Sequence, residues 1–120
     1  MANRLPRDVY DRGTDPDPRF SMANERTFLA WIRTALALTA GAIAVQARAL
    51  DLPGWARVTL SCVLLALAAL AVVQAYSRWR RHEVAMRTGG ELPGFAGGVA
   101  FAAGIVVLIL GALVAGLLNR

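Results

Sequence analysis

The sequence has no lysine, a single cysteine and a single histidine among its 120 residues. Because all thirteen basic residues are arginine, the net charge of +5 is carried by groups that stay protonated at any relevant pH. Cys62 lies in an apolar run, which excludes an intrachain disulfide and predicts a small buried hydrophobe. His82 lies between Arg81 and Glu83 and is predicted to be a solvated loop residue. We therefore expect no catalytic residue, no metal site and no cofactor, and hence no enzyme.

Long apolar runs dominate the rest of the chain, at residues 29–47, 58–77 and 95–118. Each run is close to the roughly 20 residues that a helix needs to cross a hydrocarbon core. Arg33 is the only charge in the first run, and the third run has none. A soluble helical bundle would need polar faces of helical period, which the second and third runs lack. The sequence therefore predicts an all-α membrane protein with three transmembrane helices.

The distribution of arginine predicts the orientation. Nine arginines precede the first run or follow the second, whereas three lie on the other side of the membrane. By the positive-inside rule, the N-terminus and the second loop are cytoplasmic and the C-terminus is outside. The first 28 residues also lack the apolar core of a cleavable signal peptide. An Arg- and Ala-rich, Lys-free composition favours a bacterial source, and we predict a multi-pass protein of the bacterial inner membrane.

The N-terminal residues differ in character from the rest of the chain. Residues 1–17 mix Pro, Gly, Asp and Arg without periodicity, which predicts a flexible cytoplasmic tail before a three-helix transmembrane domain at residues 18–120. Asp17 is a good N-cap and Pro18 suits the first helical position. The first helix is thus expected to begin in the cytoplasm at about Pro18 and to continue into the first span.

Three arginines recur along this first helix. Arg19, Arg26 and Arg33 are seven residues apart, so they drift by only about 20° per step and lie on one face. The same face is expected to continue into small residues that let a neighbouring helix approach closely, namely Ala37, Gly41 and Ala44. One interpretation is that the arginines only set the topology, with Arg33 snorkelling to lipid phosphates. The other is that Arg33 faces a bundle interior or a wet cavity.

The second interpretation implies an assembly. Three short helices leave little room for a pore, whereas several subunits would bring rings of guanidinium groups together, as in an anion path. Four more arginines, at residues 78–87, return to the same side and are candidates for this vestibule. Glu25 is badly placed to pair with Arg33 in its own helix, so we expect it to pair with an arginine of another helix or subunit. Gly97, Gly104 and Gly111 form a further row of small residues, which favours packing within one chain.

The stretch FSMANERTFLAWIRTALAL, residues 20–38, resembles the family of domain of unknown function 202, small three-helix membrane proteins called YidH-like. The specific part is NERTFLAW at residues 24–31, with RWRR at residues 78–81 as further support, and the resemblance extends from about residue 19 to the C-terminus. This family is related to the membrane domain of the eukaryotic vacuolar transporter chaperone complex, whose first helices surround a path ringed by basic residues.

That resemblance implies pore-lining roles for Arg19, Arg26 and Arg80, while the role of Arg33 depends on spacing alone. Glu25 and Asn24, the acid and the amide of the motif, are assigned structural or ion-pairing roles. The chain lacks the polymerase and phosphate-sensing domains of the eukaryotic complex, so any polyphosphate synthesis would need another protein.

Two functional hypotheses remain open. The first is a homo-oligomer whose cytoplasmic arginine rings bind anions or polyanions, such as phosphate or polyphosphate, and conduct them if a pore opens. The alternative is a non-conducting scaffold or assembly subunit that binds partner proteins or anionic lipids through the same surface. A holin-like lesion former is disfavoured by the charged first helix. Nucleic acid is not expected as a partner, because membrane topology already accounts for the arginines.

Overall fold

The computed structural model describes residues 4–47 and 51–118. A short helix α1 (Arg7–Tyr10) is followed by three long helices, α2 (Pro18–Val45), α3 (Gly54–Thr88) and α4 (Ala96–Leu118). All three long helices are long and apolar enough to cross a membrane. The predicted all-α architecture with three spans is therefore confirmed.

The ends of α2 and α3 follow from local sequence. The Asp17 carboxylate accepts a hydrogen bond from the backbone N–H of Arg19 at 2.9 Å, and Pro18 occupies the first turn. This confirms the predicted start of the first helix. At its C-terminal end, α3 stops at Gly89, which adopts a left-handed φ of 69°. Glycine reaches that conformation without steric cost, and it therefore serves as the stop signal.

Helix α3 continues well beyond the predicted span. Its 35 residues make it about 52 Å long, whereas the hydrocarbon core is only about 30 Å thick. The last three turns therefore extend beyond the membrane as helix, on the side predicted to be cytoplasmic. The assignment of His82 to a loop is wrong, since it lies in α3 with Nδ1 2.9 Å from the carbonyl oxygen of Arg78. Hydropathy falls after residue 77 because the chain leaves the membrane, and the helix itself continues.

Helices α2 and α3 form the principal packed pair. Their contact is centred on the buried alanines Ala35, Ala68 and Ala71. Side chains this small let two helices approach closely, which is how helices associate in lipid, where no hydrophobic force drives them together. Trp31 of α2 packs against this core and meets Phe101 of α4 edge-on, at 5.1 Å between ring centroids.

Helix α4 is attached only along one side. None of its residues is buried. Gly97 lies directly against the side chain of Gln74 in α3, and a Cβ at Gly104 would be 3.3 Å from Leu67. No atom lies within 4 Å of a Cβ built at Gly111. Packing within the chain thus explains the first two glycines of the row and leaves the third on the open surface.

The predicted burial of Cys62 is also wrong. Cys62 is exposed, although its apolar surroundings predict burial. It lies nine residues before Ala71, which places it about half a turn around α3 from the side that faces α2. An apolar all-round helix gives no indication of which side will be covered.

Residues 4–15, termed the N-terminal segment, lie against the cytoplasmic end of α3. Val9 of α1 is fully buried there, and the backbone N–H of Thr14 donates to the carbonyl oxygen of Arg87 at 3.1 Å. The flexibility expected for residues 1–17 stays a prediction, and residues 1–3 lie outside the described residues. Within the described part of this tail most residues are exposed, and Val9 and Thr14 are among those that contact the rest of the chain. The N-terminal segment and the end of α3 therefore share one side of the membrane, in agreement with the predicted orientation.

Candidate functional site

The arginine face of α2, defined by Arg19, Arg26 and Arg33, points away from the rest of the chain. Arg26 is nine residues before the buried Ala35, and Arg33 is nine residues before the buried Ala42. Nine residues correspond to about half a turn around a helix. All three arginines are exposed. The predicted stripe thus lies on the side of α2 opposite α3.

The three arginines differ in their partners. Arg19 has 88% of its side chain exposed and pairs with Asp17 at 3.0 Å. Hydrogen bonds from the Arg19 guanidinium and backbone hold the pKa of Asp17 below its usual value. Within residues 4–47 and 51–118, Arg26 and Arg33 have no ion pair. The charge is therefore least neutralised at the level where α2 enters the membrane.

The small residues that continue this face are fewer than predicted. Ala37 and Ala44 are exposed, in agreement with a surface free to contact another helix. Gly41 is only partly exposed, and a Cβ built on it would lie 3.8 Å from Leu64 of α3. Gly41 therefore borders the α2–α3 contact and does not belong to the arginine face.

Arg80 lies in α3, away from the arginine face of α2. It is nine residues after Ala71 and so about half a turn from the side of α3 that faces α2. Its guanidinium pairs with Asp8 of α1 at 2.7 Å. Within one chain, Arg80 is thus on the far side of the helix pair from Arg26. Its pore-lining role stays a prediction.

Asn24 connects the two helices at their cytoplasmic ends. Its side-chain amide is buried and donates to the carbonyl oxygen of Trp79 at 3.0 Å and to Glu83 Oε2 at 3.5 Å. The Ser21 hydroxyl donates to Glu83 Oε1 at 3.0 Å. Asn24 therefore has an interhelical structural contact in this chain.

A buried ion pair completes this polar cluster. Glu83 and Arg87 each have only 3% of their side chains exposed, and Arg87 Nε lies 3.4 Å from Glu83 Oε1. Arg87 Nη1 also donates to Asp15 at 2.9 Å, and the guanidinium stacks on the Tyr10 ring at 4.7 Å from its centroid. Arg87 is thus covered by the N-terminal segment and is absent from the predicted vestibule. The i, i+4 spacing of Glu83 and Arg87 is the one sequence signal for this pair, and it applies only to a helix.

Asp15 joins two arginines at the surface of this cluster. It accepts hydrogen bonds from Arg4 at 2.8 Å and from Arg87 at 2.9 Å. These two guanidinium groups, Arg4 foremost, hold the pKa of the Asp15 carboxyl below its ordinary value. The network fastens the N-terminal segment to the end of α3.

Glu25 lies beside the arginine face, in a cleft between α2 and α3. It is exposed and has no ion pair among the described residues. The cleft has a volume of about 380 Å³, and its other lining residues are Pro6, Phe28, Leu29, Tyr76 and Trp79. The expected pairing of Glu25 with an arginine of another subunit stays a prediction.

The fold and these contacts define a small three-helix membrane protein with a polar, partly buried cytoplasmic end. Residues 19–85 match the family described as Domain of unknown function (DUF202). The chain is 48% identical over 90 residues to an uncharacterized protein of Mycobacterium tuberculosis, covering 72% of this chain and 73% of the relative. It is 44% identical over 82 residues to the inner membrane protein YidH of Escherichia coli, covering 68% and 71%.

The chain belongs to the DUF202 family, and it is a multi-pass inner membrane protein. These relatives are uncharacterized or named as membrane proteins, and the matched family is one of unknown function, so the expected lack of enzymatic activity stays a prediction. No solved structure matches the chain. The relation to the vacuolar transporter chaperone membrane domain stays a resemblance.

Proposed function

We propose that the protein assembles into a homo-oligomer in which the arginine face of α2 lines a cytoplasmic entrance that binds phosphate-type anions, including polyphosphate. The observation that carries this proposal is the position of Arg26 and Arg33. They lie opposite the α3 contact, and neither has an acidic partner among the described residues. A guanidinium row of this kind suits bidentate binding of phosphate oxygens.

The free-energy cost of exposing Arg33 to lipid supports an arrangement in which the arginine face of α2 lines a hydrated path. Arg33 lies about one turn inside the first apolar run, and a charged side chain facing lipid costs at least about 2.5 kcal/mol at the bilayer centre and less near the surface. Facing a hydrated path removes that cost. The exposed Ala37 and Ala44 below Arg33 would let neighbouring α2 helices approach closely.

Flux measurements in liposomes test the proposal. The protein is reconstituted, and uptake of phosphate and of short-chain polyphosphate is compared for the wild type, Arg26→Ala and Arg12→Ala. Arg12 is the matched control, because it is an exposed arginine of the N-terminal segment, on the same membrane side, and has no ion pair among the described residues. We expect Arg26→Ala to lower flux about tenfold, as loss of one charge-assisted contact implies, and Arg12→Ala to leave it unchanged. Equal flux in all three proteins would eliminate the path.

A non-conducting scaffold is the second candidate. The observation that favours it is α4, none of whose residues is buried, so that most of this helix is open to other membrane proteins. Cross-linking and affinity purification from native membranes should then recover a partner in stoichiometric amount. The liposomes would show no flux with any variant, and a purified protein that carries flux without a partner would reject the scaffold.

A further inference from the structure

The cleft that contains Glu25 has the composition of an ammonium-binding site. Three of its walls are aromatic, formed by Phe28, Tyr76 and Trp79, and one side carries the Glu25 carboxylate. Aromatic faces attract cations through their quadrupole, and this combination is the usual means by which proteins bind alkylammonium groups. Since Glu25 has no ion pair among the described residues, the acid is available to a ligand.

The walls of the cleft are held in place from behind. The Tyr76 and Trp79 rings, which both line the cleft, lie 6.0 Å apart between centroids and are tilted by 35° to each other. Tyr10 contacts the Trp79 ring at 6.2 Å, and Asn24 binds the Trp79 carbonyl oxygen. Side chains that are already held in place lose little conformational entropy when a ligand binds.

The cleft lies at the level of the lipid headgroups. Leu29 is the first residue of the first apolar run, and Tyr76 is next to the last residue of the second. Tyrosine and tryptophan at such positions mark the boundary between hydrocarbon and water. Leu29 is 50% exposed and continues the cleft toward the hydrocarbon. A ligand with an ammonium head and apolar chains therefore fits both ends.

We propose that this cleft binds the ammonium headgroup of a zwitterionic phospholipid of the phosphatidylethanolamine type. The Glu25 carboxylate accepts hydrogen bonds from the ammonium, the rings of Phe28 and Trp79 contact its cationic face, and the acyl chains lie along the exposed surface beyond Leu29. This site goes beyond the anion entrance proposed above. It requires neither an open path nor a particular number of subunits.

Native mass spectrometry of the protein released from nanodiscs tests this site. The nanodiscs contain equal amounts of phosphatidylethanolamine and phosphatidylglycerol, and the retained lipids are counted per subunit. We expect the wild type to retain phosphatidylethanolamine preferentially. We expect Glu25→Gln to retain about tenfold less phosphatidylethanolamine per subunit. Glu91→Gln is the matched control, because Glu91 is an exposed glutamate on the same side that does not line the cleft. It should behave as the wild type.

A second variant tests the aromatic wall of the cleft, and the subunit number in each spectrum separates lipid loss from a change of assembly. Phe28→Leu removes one aromatic wall and keeps the acid, and we expect a loss of several-fold. Each spectrum also reports the subunit number, so lipids are compared only between species of equal size. Retention without preference in the wild type, or unchanged retention in Glu25→Gln, would overturn the site. A Glu25→Gln variant that changes subunit number but keeps its lipid would assign Glu25 to an intersubunit pair instead.

Discussion

Among single residues, Arg87 shows most clearly how position changes the role of a charge. It belongs to an arginine-rich stretch that topology alone would explain, yet its side chain is 3% exposed and paired with Glu83. A buried pair contributes little net stability compared with an apolar pair, but removal of one partner leaves an uncompensated charge.

We therefore predict that Arg87→Ala lowers the free energy of unfolding by about 3–5 kcal/mol. Arg81→Ala, which removes an exposed arginine six residues away, should change it by less than about 0.5 kcal/mol. Unfolding by a denaturing detergent, followed by circular dichroism, measures both values. Similar stability of the two variants would contradict the burial of Arg87.

Asp15 gives the same cluster a pH dependence. Its pKa is lowered in the folded chain by Arg4 and Arg87, so its contribution to docking is present above the ordinary aspartate pKa of about 3.9 and is lost as pH falls through the lower folded value. We predict that acidification below about pH 4 increases amide exchange in the N-terminal segment before α3 unfolds. In Asp15→Asn this acid step should disappear. An identical acid step in Asp15→Asn would show that another group carries it.

Among the elements, the N-terminal segment depends on one glycine. Gly13 has a φ of 56°, and a Cβ added there would collide with the carbonyl oxygen of Arg87. This oxygen belongs to the backbone of α3 and cannot move aside. The segment thus requires glycine for two independent reasons, conformation and close approach.

We predict that Gly13→Ala releases the N-terminal segment from α3. Trypsin should then cleave after Arg7 and Arg12 much faster than in the wild type, because a released segment fits the protease. Gly89→Ala is the control, since Gly89 also has a positive φ, 69°, but no atom lies within 4 Å of its Cβ position. That variant incurs only the conformational cost of about 1–2 kcal/mol and should leave the segment protected. Equal protection of Gly13→Ala would contradict the docking.

The helices themselves were predictable to different degrees. Hydropathy predicts three spans, and the Asp17–Pro18 pair predicts where α2 begins, because both signals are local. The heptad spacing of Arg26 and Arg33 predicts a shared face. It does not predict that α3 lies on the opposite side, because that depends on tertiary packing. The burial of Arg87 was not predictable at all, since Tyr10 and Asp15, which contact it, lie 77 and 72 residues earlier in the chain.

At the scale of the whole molecule, the three helices are held together unevenly. Helices α2 and α3 share a core of alanines, whereas no residue of α4 is buried. A membrane protein can leave a helix this exposed, because lipid solvates it as well as protein does. Polar contacts fasten both ends of the α2–α3 pair. At the end away from the N-terminal segment, the buried Ser61 hydroxyl donates to the carbonyl oxygen of Ala42 at 2.9 Å and accepts from Gln46 at 2.7 Å, and the alanine core lies between the two ends.

The orientation gives a prediction at this scale. In a Cys62→Ala background, the Asp51→Cys variant should react with a membrane-impermeant maleimide added to intact cells or spheroplasts. The Glu91→Cys variant should react only after the membrane is opened. Both positions are exposed loop residues outside the spans, so reactivity reports sidedness alone. The opposite pattern would invert the topology derived from the arginines.

The contact between the N-terminal segment and Arg87 also sets an order of events during synthesis. The segment leaves the ribosome before α3, and its binding site on α3 exists only after the chain has crossed the membrane twice and returned. Until then Tyr10 and Asp15 lack the Arg87 side chain that they contact in the finished fold. A chain whose second helix failed to insert would leave Glu83 and Arg87 on the wrong side, and the segment would stay unbound. This contact can therefore form only in a chain whose first two membrane helices have both been inserted.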